Sequence, residues 1–600
     1  MSAAPFTDLI LPEQAATLAG LFRERVRRTP EHVAYRFFDA LNGTWADYSW
    51  AAMAREVDRW QAALAEEGFK PGDRVAVMAR NSRFWVIFDQ AALGLGLVVV
   101  PIYTEDRADN VAYMVNDAGI RMLLIGGPPQ WERLAGKLRD CRPLRRIVSI
   151  AEIEEFGDKR LMHLQHWLGR DRGEPRHTKG NPTDLATIVY TSGTTGRPKG
   201  VMLSHWNILS NAHSCLQIVP VGANHVFLSF LPLSHMLERT VGYYLPMMAG
   251  AIVAHARSIP ELANDLRLVR PDALISVPRI YERVYARLRE QLSRKGPVAR
   301  FLFDLAVEVG WHRHESMQGR ERRRPSLLLW PVLKRLVADK ITARLGGRIK
   351  VAISGGAALT PDIARVFIGL GVPVLQGYGL TETSPVVSAN RLEDNVPASI
   401  GRALPGVEVK IGDQDELLVR GESVMAGFWN NPEETRRVLD AHGWLHTGDR
   451  ARIADGRIYL TGRLKEIIVL ANGEKVPPMD MELAIAADTV FDQVIIIGEG
   501  RPYLTALVVL NEPHWQEVAR EHDLAGVDIH DRRVEEILLE RIAACLHDFP
   551  GYAQVFRLTC MSEPWSVDNG LMTPTLKVRR GSVLERYAAD IERMYERKGR

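Results

Sequence analysis

The stretch Thr187-Ile188-Val189-Tyr190-Thr191-Ser192-Gly193-Thr194-Thr195-Gly196-Arg197-Pro198-Lys199-Gly200 joins a short apolar run to a segment rich in Gly, Ser and Thr. The first four residues read as a buried strand and the rest as a loop. Such a loop can curl so that several backbone N–H groups face one anion, with hydroxyls as extra donors and Lys199 as a mobile cation. That is a cradle for phosphate. The spacing Gly193-x-x-Gly196-x-x-Lys199 departs from G-x-x-x-x-G-K-[ST], and Gly200 follows the lysine, which disfavours a P-loop kinase or GTPase. A Gly/Thr-rich loop with one lysine is often a plain turn; the length of the whole string favours a function.

Outward from this stretch, further apolar runs occur at Arg74 to Ala79, Asp272 to Val277, Ile349 to Ser354 and Val372 to Gln376, with helical patterns between them. Strands separated by helices predict an α/β architecture with mainly parallel sheets. Residues 15 to 70 read as helices punctuated by turns. After Glu408 the runs shorten, at Leu417 to Arg420, Arg457 to Leu460, Glu466 to Leu470, Gln493 to Ile497 and Leu504 to Leu510. A β-rich subdomain and then a small α+β domain are expected, with the boundary at Gly462-Arg463-Leu464-Lys465. The expected division is 1–464 and 465–600, with a helical, basic insertion at about 286–345.

Bulk properties narrow the function. Of 600 residues, 76 are Lys or Arg and 73 Asp or Glu, so the net charge of +3 gives no whole-chain basic field and no nucleic-acid partner. Cys141, Cys215, Cys545 and Cys560 are scattered, which fits free, buried thiols in a reducing compartment. The first residues lack the pattern of a secretory signal. The longest nearly apolar stretch, Ala92 to Tyr103, is shorter than the ~20 residues of a spanning helix. A cytoplasmic protein is expected. The insertion carries Gly319-Arg320-Glu321-Arg322-Arg323-Arg324-Pro325 followed by Ser326-Leu327-Leu328-Leu329-Trp330. This reads either as an ordinary solvated helix pair or as a peripheral contact with anionic lipid.

A second constellation is Gln376-Gly377-Tyr378-Gly379-Leu380-Thr381-Glu382-Thr383, at the end of a strand-like run where ligands of α/β sheets bind. Tyr378 can stack on a base, Thr381 can donate to a phosphate oxygen, and Glu382 can hold a hard cation such as Mg²⁺. A strand-to-turn transition with a structural tyrosine accounts for it equally well. In Ser354-Gly355-Gly356-Ala357-Ala358-Leu359, small residues admit a base or an acyl chain near the backbone, or simply pack tightly. Asp449, in Trp444-Leu445-His446-Thr447-Gly448-Asp449, reads from spacing alone as a turn residue. Lys577, in Asn569-Gly570-Leu571-Met572-Thr573-Pro574-Thr575-Leu576-Lys577, reads from composition alone as a surface charge.

Thr191 to Gly200 matches T-S-G-T-T-G-x-P-K-G throughout, and the sequence resembles the adenylate-forming superfamily of acyl-CoA synthetases, luciferases and peptide-synthetase adenylation domains. The resemblance covers nearly the whole chain. It is closest to long-chain acyl-CoA synthetases through Leu231-Pro232-Leu233-Ser234-His235-Met236-Leu237-Glu238-Arg239, through Val277-Pro278-Arg279-Ile280-Tyr281-Glu282-Arg283-Val284, and through the helical insertion.

The resemblance implies activation of a fatty acid by ATP and Mg²⁺ to an acyl-adenylate, then transfer to the thiol of CoA. It implies that Thr191, Ser192, Gly193, Thr194, Thr195, Gly196 and Lys199 hold phosphates, with Thr191 and Glu382 at the metal. Gly356, Ala357 and Tyr378 would border adenine, Thr381 a phosphate, Asp449 the ribose, and Arg463 the same ribose or its phosphate. Gly355 and His235 would border the acyl pocket, with His235 a gating residue before a general base. Lys577 would bridge the carboxylate and the α-phosphate at the reacting centre with Thr381 and Glu382, and Lys465 would be the hinge of a mobile C-terminal domain. Two alternatives stay open: an acyl-AMP ligase loading a carrier-protein pantetheine, and a catalytically silent lipid-binding homologue.

Overall fold

The computed structural model describes residues 8–40, 42–153, 157–169, 177–191, 197–464, 468–476, 478–547, 549–573 and 578–596. Among the described residues the strands form sheets of nine, eight, four, two and three strands. Both large sheets are mainly parallel. In the larger, Ala273–Ser276 lies between Val226–Ser229 and Val351–Ser354, parallel to both and buried throughout. Burial on both faces is why its sequence shows no polar alternation. In the other, Leu185–Thr191 continues through Val98–Pro101, Arg74–Met78 and Ile120–Ile125, again parallel.

Two expectations need correction. Residues 15–70 are not all helix: Leu18–Arg28 and Trp50–Glu66 are helical, but between them Val33–Asp39 and Thr44–Ser49 form a hairpin on the edge of the nine-stranded sheet. Its charges hide the strand pattern, because Arg36 and Asp47 sit opposite each other and pair at 2.6 Å. The run at Val372 does not stop at Gln376; the strand is Val374–Gly379, extended by antiparallel pairing with Val386–Ala389. Tyr378 therefore lies on a strand and not on the turn after it.

Ala92 to Tyr103 divides between the end of helix Arg83–Gly94 and strand Val98–Pro101. No helix among the described residues is long and apolar enough to cross a membrane. Cys141, Cys215 and Cys560 are buried and Cys545 is half-buried, all as free thiols. The insertion is helical, with Pro278–Arg294, Pro297–Met317 and a series of short helical segments from Pro325 to Leu345.

A buried ion pair with no sequence forewarning lies in the core. Arg239 meets Asp89 at 2.5 Å, both fully buried, and also donates to the Thr187 hydroxyl at 2.8 Å. Tyr243 and Tyr244 donate to the second Asp89 oxygen at 3.1 and 2.6 Å. The pair thereby ties the strand carrying the phosphate loop to helix Arg83–Gly94 and to the π-helical turn Glu238–Tyr244.

Candidate active site

Thr191 and Lys199 face each other as the last pair of an antiparallel ladder between Leu185–Thr191 and Lys199–Ser204. The two strands pair as neighbours in sequence and in the sheet. Ser192, Gly193, Thr194, Thr195 and Gly196 lie outside the described residues. Lys199 pairs with Glu434 at the start of helix Pro432–Val438, and its ammonium lies 5.6 Å from the Phe428 ring centroid. Glu434, which sequence reasoning missed, also takes Arg437 at 2.9 Å.

Gly379 permits the next feature: a Cβ there would lie 1.9 Å from the Pro385 carbonyl oxygen. Only glycine lets the chain reverse so tightly into the 3-10 turn Thr381–Thr383, which presents Thr381 and Glu382 at the strand end. The Glu382 carbonyl accepts from the Met425 N–H at 2.8 Å, which fixes the turn against the following segment. Burial holds the Glu382 carboxyl above the usual carboxylate range and Asp449 adds to this, while Arg463 and Lys199 pull the other way.

Asp449 and Arg463 are a register pair between strands Leu445–Ala454 and Arg457–Arg463, and the Arg463 Nε donates to Asp449 at 2.9 Å. The Tyr378 hydroxyl donates to the other Asp449 oxygen at 2.6 Å. Burial, reinforced by Asp449, raises the Tyr378 hydroxyl well above its ordinary pKa, so it keeps its proton and stays a donor. Three residues read separately from the sequence are joined here across two sheets.

A cavity of about 310 Å³ opens at this cluster. One end carries Thr191, Tyr378, Thr381, Glu382 and Arg463; the other runs between helix His205–Ile218 and the strands of the larger sheet, past Cys215, Ile218, Phe227, Ala273, Ile275 and Val351. Gly355, Gly356 and His235 line it as well. Gly356 has φ +81°, a left-handed conformation that favours glycine. Ala357 is exposed and absent from the lining, so it does not share the cavity with its neighbours. The His235 Nδ1 accepts from the Leu237 N–H at 3.3 Å, an interaction that orients the ring at the wall. The deep apolar residues come from four separate elements and no sequence motif marks them.

Lys465 and Lys577 lie outside the described residues. The described residues flanking Lys577 are informative: Met572 and Val578 form an antiparallel bridge. Met572, Thr573 and Arg579 share a small crevice with Tyr103, Asp106 and Pro198, the residue preceding Lys199. The described residues on either side of 574–577 therefore lie near the start of strand Lys199–Ser204.

Comparison with protein families assigns residues 22–429 to the AMP-binding enzyme family and residues 465–599 to the AMP-binding enzyme C-terminal domain. The chain belongs to the AMP-binding enzyme family. A long-chain-fatty-acid–CoA ligase of Mycobacterium bovis is 30% identical over 99% of this chain and 99% of its own length. A chloroplastic long-chain-fatty-acid–[acyl-carrier-protein] ligase of Arabidopsis thaliana is also 30% identical, over 90% of this chain and 82% of its own. Among solved structures, the adenylation domain of a carboxylate reductase from Mycobacterium chelonae superposes with a TM-score of 0.75 at 20% identity, covering 96% of this chain and 91% of that one.

For an AMP-binding enzyme the donor set at the polar end suits a hard cation. Glu382 is a carboxylate whose charge burial disfavours, and it lines the same cavity as Thr191 and Thr381. Among the described residues no three His, Cys, Asp or Glu side chains cluster as a metal cage. One carboxylate plus substrate phosphates is the way Mg²⁺ is ordinarily held.

Proposed function

We propose that this protein activates a long-chain fatty acid with ATP to an acyl-adenylate, releases pyrophosphate, and passes the acyl group to the thiol of CoA, giving acyl-CoA and AMP. One observation carries the reading: a single cavity leads from Thr191, Glu382 and Arg463 into an apolar interior. A carboxylate lying in that cavity, tail inward, would present its head to a phosphate held at the mouth. The Mycobacterium bovis relative supports the choice of acid and acceptor.

In the first step a carboxylate oxygen attacks the α-phosphorus and the bond to pyrophosphate breaks. The carboxylate and the phosphates repel each other, so the protein's task is positioning and neutralisation. Lys199 would exchange Glu434 for phosphate oxygens, with Ser192 to Gly196 donating around it. Asp449 and Arg463 would take the ribose, Tyr378 would border adenine with Gly356, and Thr381 would donate to the α-phosphate. Mg²⁺ on Glu382 and Thr191 would supply positive charge to the phosphates. Lys577 would bridge carboxylate and α-phosphate, an assignment supported by the crevice that the described flanks Met572, Thr573 and Arg579 share with Pro198.

In the second step the thiol sulfur attacks the acyl carbon, its proton leaves, and AMP departs. We assign residues 1–464 to the nucleotide- and acid-binding unit and 465–600 to a mobile unit hinged at Lys465, with the protein working in the cytoplasm; the start of the C-terminal family match supports the boundary. Transfer to a carrier protein's pantetheine is the second reading, because a carrier-protein ligase is also 30% identical, over 90% of this chain.

The test follows AMP, pyrophosphate and thioester with ATP and Mg²⁺ across acids of increasing length, with and without CoA. Acid-dependent AMP and acyl-CoA are expected. ADP as product refutes adenylation, and pyrophosphate release without thioester formation on CoA moves the acceptor to a carrier protein.

A further inference from the structure

Three N-terminal helices leave a space between them that the proposed reaction does not use. Leu18–Arg28, Trp50–Glu66 and Arg83–Gly94 each contribute to it, and Ala19, Ala54 and Gly94 are too small to fill the place where they meet. The result is a second cavity of about 170 Å³, which shares no lining residue with the one that holds Thr191 and Ala273. Phe22, Val26 and Val57 give it apolar walls.

Its floor is polar. Gln61 and Gln90 line it, are 0 and 1% exposed, and each leaves its Oε1 without a hydrogen-bond donor among the described residues. Both amides are held in that sense. Gln90 Nε2 donates to the Tyr243 hydroxyl at 2.5 Å and lies 3.4 Å from the Asp89 carboxylate, so turning the amide over would set two oxygens against each other. Gln61 Nε2 donates to the Ala91 carbonyl at 3.4 Å, with the same consequence. Gly94 admits Gln61, since a Cβ there would lie 2.1 Å from the Gln61 Nε2. A buried carbonyl oxygen without a donor is costly, and two at one cavity call for N–H or O–H groups.

The rim is charged but balanced. Arg23 donates to His177 Nδ1 at 3.3 Å, and the other ring nitrogen lies 3.9 Å from Asp58. Burial and the neighbouring Arg23 hold His177 below the usual imidazole value, which leaves one cation and one anion. A charged ligand would meet no unbalanced partner there. Water alone is a poor occupant, because a buried water makes about three hydrogen bonds and the walls above the two acceptors are apolar. An apolar cavity of about 150 Å³ takes a benzene ring, so this space fits a single ring with a small substituent. We propose that the cavity binds a small uncharged ring compound bearing an –NH2 group, as a carboxamide or a ring amine, with its ring against Phe22 and Val57 and its N–H donors on the Oε1 atoms of Gln61 and Gln90.

Benzamide is the probe, titrated calorimetrically into the full chain without ATP, acid or CoA. It should bind with a Kd of about 1 mM or tighter, and methyl benzoate, which has the ring but no N–H, about tenfold or more weakly. Gln61→Leu removes one acceptor and should cut that preference to about threefold or less. Ala54→Leu fills the space and should weaken benzamide about tenfold or more at an unchanged melting temperature, whereas Ala273→Leu in the other cavity should leave its binding as it was. The absence of saturable benzamide binding overturns the proposal and leaves the cavity to water. Binding that methyl benzoate matches, or that Ala273→Leu removes and Ala54→Leu spares, overturns it as well. The comparison of the two probes on the wild type decides the matter if a variant fails to fold.

Discussion

Ala273 offers a quantitative test of the cavity as the acyl site. It lies on the central strand of the cavity wall, with Phe227 opposite on one neighbouring strand and Val351 on the other, and all three line the cavity. Ile275 and Ile353 are two residues nearer the phosphate end, or roughly 6.6 Å along the strands. The small side chain at Ala273 thus keeps the deep part of the cavity open. Ala273→Leu would place three further carbons there. Each methylene denied burial costs about 0.8 kcal/mol, so three cost about 2.4 kcal/mol. The preference for the best wild-type acid over one three carbons shorter should fall about 60-fold in kcat/KM. The assay is AMP formation across a series of saturated acids, with thermal unfolding in parallel, because overpacking a core costs about 1–3 kcal/mol. An equal loss at every chain length, or an unchanged profile, would refute the assignment of this cavity to the acyl chain.

Asp449→Asn keeps the shape of the residue that joins Tyr378 and Arg463 but removes its charge. KM for ATP should rise about 10-fold or more with little change in KM for the acid, and equal effects on both would argue that Asp449 only holds the fold. Lys577→Ala should lower acid-dependent AMP formation about 100-fold or more, while thioester formation from a supplied acyl-adenylate persists; full retention of the first reaction removes Lys577 from the reacting centre. Glu238 is fully buried, and burial pushes its carboxyl up to about 8, with Ser229 pulling the other way. A carboxyl that holds its proton more tightly when folded contributes stability that is whole below its ordinary value and is lost as pH rises through about 8. Chemical denaturation should therefore show stability declining from about pH 5 to pH 8, and Glu238→Gln should flatten that slope, whereas a parallel curve would contradict the role of burial.

How far the sequence carried depended on whether a signal was local. The strands at Leu185–Thr191 and Ala273–Ser276 were legible because burial on both faces leaves an unbroken apolar run. The hairpin at Val33–Ser49 was not, because its Arg36–Asp47 pair is cross-strand and invisible along the chain. The same division holds in the site. Tyr378, Asp449 and Arg463 stand in short motifs, and the structure unites them. Glu434, Phe227, Ala273 and Val351 act through where the fold brings them, and nothing in their neighbours along the chain distinguishes them from ordinary core or surface.

The Arg239–Asp89 pair shows why a buried charge is placed where it is. Removing two charges from water is expensive, and a buried pair is weak grounds for stability in itself. What this pair does is geometric. Through Thr187 it holds the strand that ends in Thr191, and through Arg239 and Tyr244 it holds the turn whose residue Val241, with Leu237 just before it, borders the cavity. A phosphate held at Thr191 and an acid lying against Leu237 and Val241 would rest on different elements, a strand end and a helical turn, and reaction between them tolerates little error in their separation. Apolar packing is adaptable and lets elements slide by fractions of an ångström, whereas a charged pair with all of these hydrogen bonds has one good arrangement. The pair fixes the distance between the two halves of the site, a constraint that apolar side chains of the same volume would not impose.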